Sequence, residues 1–153
     1  MKRKTVSMAH LDRVFCKTIH EAYDYTCAYL DCPFCWNDSM RGSGGLVAGH
    51  IECAHYYNRY RSSGRWHPDN VAGLCHGAHA FLEHNKALEV QFFTKLLGET
   101  RHDWLVERHQ GVYRYKPWER WEMAQHYTAQ RKHIERRRVE HLETGFIEVV
   151  SWD

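Results

Sequence analysis

Two of the six cysteines in this chain of 153 residues stand together in Cys32-Pro33-Phe34-Cys35. Nothing in the sequence constrains the fold more than that pair and the question of what completes it. The N-terminus, MKRKTVSMAH, is basic and no apolar stretch follows it, so no signal peptide is read there. A cytoplasmic location follows as the default expectation. In a reducing compartment closely spaced cysteines serve metals more often than disulfides. A redox role for Cys-x-x-Cys would call for a βαβ context, and no such pattern surrounds it. A closed zinc site needs four ligands. Cys75 offers a third, but the position that would complete a second Cys-x-x-Cys is Ala78. Cys27 is the most economical fourth ligand and His76 the runner-up. The bland alternative makes Cys27 and Cys75 small buried apolar residues. Cys16 falls on an apolar helix face and reads as core.

The periodicity around these residues predicts the elements. Leu11, Val14, Phe15, Thr18, Ile19 and Ala22 mark one face of a helix over 8–24. Residues 25–35 read as a turn-rich cysteine segment and 37–45 as loop. The run LVAGHIECAHYY, residues 46–57, has strand character. A basic loop follows, then a short apolar strand, VAGLC. A helix is expected over 77–98 with Gly98 as its C-terminal cap. Another runs over 99–111, closed by Gly111, and a long one from Pro117 to near Gly145. The tail FIEVVSWD fits either a strand or disorder. No apolar run is long enough to span a bilayer. With 43% apolar residues the chain can bury one modest core.

Thirteen histidines are spread unevenly, with His50, His55, His67, His76, His79 and His84 clustered in one short region. Histidine is the common nitrogen ligand and the common general base near neutral pH. Metal-assisted phosphodiester cleavage needs a base, a divalent cation on the phosphate and a group that orients the base. His55, at the end of the first strand, can be the base. Asn70 can return across a hairpin and brace the loop that carries it. His79 starts a helix, with Glu83 one turn on and His84 close to the same face. The plainer alternative for His79 and His84 is a solvated helix face.

At CAHYYNRYRSSGRWHPDNVAGLCHGAH a resemblance emerges. This stretch resembles the HNH, or ββα-metal, endonucleases, and among them the phage-type recombination nucleases of the lambda NinG/Rap group. Those resemble the pattern Cys-x-His, then Arg-Trp-x-Pro-x-Asn, then Leu-Cys-x-x-Cys-His. The likeness extends over roughly residues 10–97. It implies His55 as general base, Asn70 as bracing residue and His79 as ligand of a catalytic Mg²⁺ or Mn²⁺. Glu83 and His84 are the partners His79 would need. The structural Zn²⁺ is expected on Cys27, Cys32, Cys35 and Cys75. Two departures stand out. Ala54 occupies the position before the base, where HNH nucleases carry a metal-binding acid or histidine, and Ala78 breaks the second cysteine pair. Cys53 shares a strand face with His55, but a thiolate suits magnesium poorly.

The implied partner is DNA. Arg59, Arg61 and Arg65 lie in the loop between base and asparagine, where guanidiniums can hold phosphates. Arg131, Lys132, Arg136, Arg137 and Arg138 form a second basic block, on the long helix beside a packing stripe of Trp118, Trp121, Ala124, Tyr127 and Ile134. Interleaved Glu135 and Glu140, and a net charge of only +2, argue against a continuous phosphate track. The expected fold is α+β: a zinc-stapled ββα-metal core over 1–98, preceded by a helix of its own, with a helical extension over 99–153. The expected function is a metal-dependent DNA endonuclease acting on branched recombination intermediates, in the host-cell cytoplasm for a phage-encoded chain. Paired cuts on a symmetric junction would call for a homodimer. The rival is a zinc-stabilised nucleic-acid-binding module without turnover.

Overall fold

The computed structural model describes residues 3–30, 32–36, 51–60 and 62–153. Helix α1 (Met8–Ala22) opens at Ser7, whose hydroxyl accepts from the amide of His10 at 3.1 Å. Its apolar face buries Leu11, Phe15, Ile19 and Ala22, with Thr18 among them. The chain then turns through left-handed Asp24 and Tyr25. After a short helix α2 (Pro33–Trp36), strand β1 (Ile51–His55) pairs antiparallel with β2 (Val71–Cys75), in the register His55 opposite Val71 and Ile51 opposite Cys75. Helix α3 (His76–His84) follows β2 directly, so strand, loop, strand and helix run in the order expected of the central region.

The expected helix over 77–98 is two helices. Asn85 leaves helical geometry, with φ −124° and ψ 72°, and its Nδ2 donates to Phe81 O at 2.6 Å. The side-chain amide thus takes the carbonyl that the Asn85 backbone N–H would have used in a continuing helix, that N–H turns to Leu82 O, and α4 (Lys86–Leu97) restarts beyond it. Gly98, at φ 78°, ends α4 as expected. Helix α5 (Glu99–Gln110) stops at Gly111, and α6 (Pro117–His141) begins with its proline in the first turn. The tail is neither a strand nor free among the described residues: Ile147 donates its amide to Ala22 O at 2.8 Å, and Ile147 and Val149 are buried.

Helices α1 and α6 pack along each other. Phe15 and Tyr127 meet edge to face at 4.9 Å, and Thr18 Oγ1 lies 3.0 Å from Tyr127 O. Each fully buried side chain of this kind contributes about 1.5–3 kcal/mol. The core is continuous from α1 and the sheet to Met123, Ala124, Tyr127 and Ile134 of α6. The loop between the strands is anchored to the same layer. Trp66, 2% exposed, donates its indole N–H to Asp12 Oδ1 at 2.8 Å, and its carbonyl accepts from the Tyr127 hydroxyl. Among the described residues no helix is long and apolar enough to cross a membrane.

Candidate functional site

The thiols of Cys27, Cys32, Cys35 and Cys75 converge from three places: the turn after α1, helix α2 and its entry, and the end of β2. Their sulfurs all lie within 4.8 Å of one another. Cys32 and Cys75 are 3.6 Å apart. Four thiolates on one Zn²⁺ at about 2.3 Å would sit roughly 3.8 Å from each other, so the donors fit a tetrahedral ion with little movement. Cys27 is therefore the fourth sulfur. His76 is not: its Nδ1 pairs with Glu52 at 2.9 Å on an exposed face. Ala78, at the broken cysteine position, is fully buried and donates its amide to Cys75 Sγ at 3.4 Å. Burial, together with the neighbouring Cys75 and Cys32, pushes the Cys27 thiol up to about 11 despite two backbone amides. Burial also opposes ionisation of Cys32, but the amide of Cys35 and the thiols of Cys75 and Cys35 outweigh it and draw that group down. Thiols crowded in this way resist ionising together unless a cation joins them.

A second site lies at the open end of the sheet. A polar cavity of about 440 Å³ is lined by Cys53, His55, Arg59, Arg65, His79 and Glu83, among others. His55 and His79 thus face one space. Asn70, 1% exposed, stands behind it. Its Oδ1 accepts from Tyr57 N at 2.8 Å, and its Nδ2 donates to Tyr57 O at 3.1 Å and Gly64 O at 3.0 Å. The side chain therefore ties the residues after β1 to the far side of the loop, as bracing requires.

His55 is held at both ring nitrogens. Nδ1 is 3.1 Å from Cys53 O and Nε2 is 3.0 Å from Arg65 O. A neutral imidazole has one N–H to give, so one carbonyl faces a lone pair. Burial pushes this histidine below its usual range, although the two carbonyls pull the other way. Both ring nitrogens are engaged, and freeing Nε2 needs a shift of the Arg65 carbonyl.

His79 is oriented by Glu52, which the sequence reading passed over. Glu52 Oε2 accepts from His79 Nδ1 at 2.6 Å, and Oε1 takes the His76 ring. Burial raises this carboxyl, but the two histidines more than offset it, so it stays below its ordinary range. A proton on Nδ1 toward Glu52 leaves Nε2 as the nitrogen able to bind a metal. The signal was a single carboxylate inside the apolar run of β1. Glu83, exposed, lines the cavity one turn beyond His79. His84 does not join them: its Nδ1 turns back to Ala80 O at 2.7 Å on an exposed stretch of α3. Among the described residues the four cysteines are the one group of three or more metal-binding side chains whose ligand atoms are gathered within reach of a common ion. Ala54 is buried and contributes no donor.

The arginines divide by partner. Arg65 makes a two-pronged pair with Asp12, Nε to Oδ1 at 3.0 Å and Nη2 to Oδ2 at 2.7 Å, and is largely buried. It builds the cavity wall instead of standing free for a phosphate. Arg59 is exposed at the cavity. Arg61 lies outside the described residues. On α6, Lys132 and Arg136 are exposed and Arg131 approaches Glu135 at 3.7 Å. Arg137 pairs with Glu143. Arg138 donates to the carbonyls of Glu21, Ala22, Glu143 and Gly145, so it closes the ends of α1 and α6 and is not a free phosphate contact. Comparisons with protein-family models, curated proteins and solved structures found no match.

Proposed function

We propose that the chain is a metal-dependent DNA endonuclease of the HNH, or ββα-metal, type, stabilised by one structural Zn²⁺ and acting on branched recombination intermediates. The observation that carries the reading is the cavity shared by His55 and His79, with Asn70 bracing its loop. His55 takes the proton from the attacking water once its Nε2 leaves Arg65 O; resting geometry of a base is often unproductive until substrate is bound. Glu52 fixes His79 with Nε2 outward. His79 and Glu83 are the side chains that would hold a catalytic Mg²⁺ or Mn²⁺, which supplies charge neutralisation at the scissile phosphate. Two protein donors suit an ion that takes its other ligands from water and phosphate. Arg59 adds a cation at the cavity. Incubation of plasmid with the protein and Mg²⁺ or Mn²⁺ tests the reading. Cleavage is expected, and it should vanish in His55→Ala while DNA binding persists. Parental cutting by His55→Ala would remove the base assignment.

One observation favours a second reading, a zinc-stabilised nucleic-acid-binding module. Both nitrogens of His55 are already engaged, and three ligands for a catalytic ion are not gathered in the cavity among the described residues. Binding of DNA without cleavage in either metal would select it.

A further inference from the structure

We infer that Tyr60 is a stacking platform for an unpaired nucleobase beside the His55–His79 cavity, and that the protein therefore favours single-stranded over continuous duplex DNA. The inference rests on the proposal that DNA is the partner. Tyr60 lines the cavity and is 92% exposed. Its neighbours in the chain are not placed this way: Tyr56 stacks on Phe93 at 4.7 Å and Tyr57 on His109 at 3.6 Å. The Tyr60 backbone is anchored, because its amide donates to Asn58 Oδ1 at 3.1 Å. An uncovered aromatic ring is thus presented to solvent at the edge of a polar hollow.

The charge beside it points to the same ligand. Of the described cations lining the cavity, Arg65 is taken by Asp12 and Lys86 by Glu89, whereas Arg59 makes no salt bridge among the described residues and acts on Asp12 only through its charge. An aromatic ring and a guanidinium outside any salt bridge, lining one cavity, match one nucleotide, base on ring and phosphate on cation. In a continuous duplex both faces of each base are covered by neighbours. Only an unpaired base has a face to offer, so the pair discriminates by strand structure and not by sequence.

The test uses the full chain without added divalent cation, so that binding is read apart from turnover. Anisotropy is measured with a fluorescein-labelled oligothymidine strand and with a blunt duplex of equal length. The parent is expected to favour the single strand. Tyr60→Ala should weaken single-strand binding about tenfold and change duplex binding less than twofold, while Tyr60→Phe stays near the parent. A 2-aminopurine placed in the strand should be quenched by the parent and not by Tyr60→Ala, with circular dichroism showing both folded. Equal losses on both DNAs, an unchanged single-strand affinity in Tyr60→Ala, or no binding by the parent would each overturn the inference. Plasmid cleavage that survives while Tyr60→Ala binds normally removes the stacking role and leaves the nuclease. Tyr60-dependent strand binding with no cleavage in Mg²⁺ or Mn²⁺ does the reverse.

Discussion

Replacing Asn70 by alanine should destabilise the protein by about 2–4 kcal/mol. The side chain serves three backbone groups, the amide and carbonyl of Tyr57 and the carbonyl of Gly64, at 2.8, 3.1 and 3.0 Å. A hydrogen bond contributes roughly 0.5–1.5 kcal/mol net, and a buried group left without a partner costs about 1–3 kcal/mol. The Gly64 contact is buried, so water cannot replace it, whereas the two Tyr57 contacts are partly open and recover some of the loss. A domain of this size has about 5–15 kcal/mol in hand, so the variant still folds. Urea unfolding followed by tryptophan fluorescence, with zinc present throughout, should show the midpoint falling by roughly 1–2 M at a slope of about 2 kcal/mol per molar. Asn70→Asp is the sharper control. It keeps the shape but removes the Nδ2 donors and sets a carboxylate oxygen against two carbonyls, so at pH 7 it should be no more stable than the alanine variant. A loss below about 1 kcal/mol in Asn70→Ala, or a neutral Asn70→Asp, would refute the view that this side chain holds the loop.

Gly77→Ala places a methyl group 2.5 Å from Phe34 Cβ, forcing α2 from α3; a cost of about 1–3 kcal/mol and faster zinc loss to a chelator are expected, and unchanged retention would count against the packing. The cysteine cluster should carry about one zinc per chain by elemental analysis, with the metal lost in Cys27→Ser and kept in His76→Ala; the opposite pattern would reassign the fourth ligand. Burial holds His20, His55 and His67 below the ordinary 6.5. The unfolded chain therefore takes up these protons first, and stability is present above about pH 6.5 and falls as the solution is acidified through that value. Ring-proton NMR titration that placed these three above 6.5 would contradict this.

The local devices were legible in the residues themselves. Gly98, Gly111 and Pro117 mark helix ends by backbone chemistry that acts within a few residues, and the structure uses each as expected. Cys27 was within reach of chemical elimination because zinc demands a fourth donor. Glu52 was harder, since a lone carboxylate in a strand looks like a solvent-facing position until α3 brings two imidazoles to it. Asn85 reads as a tolerable helix residue, and only its bond to Phe81 O reveals a stop. The basic residues were least legible. Whether Arg65 or Arg138 is free depends on Asp12, or on carbonyls at Glu21 and Ala22, far away in the chain. A cation carries no mark in sequence of the partner that folding will give it.

The seam between the first and last long helices bears on how the molecule is made. Thr18 approaches Tyr127 across 109 positions, and Arg138 reaches Glu21 across 117. A nascent chain leaving the ribosome would hold α1 without its companion until the 109 positions from Thr18 to Tyr127 had been translated. Its apolar stripe would meanwhile be open to chaperones, and maturation would wait on the synthesis of α6.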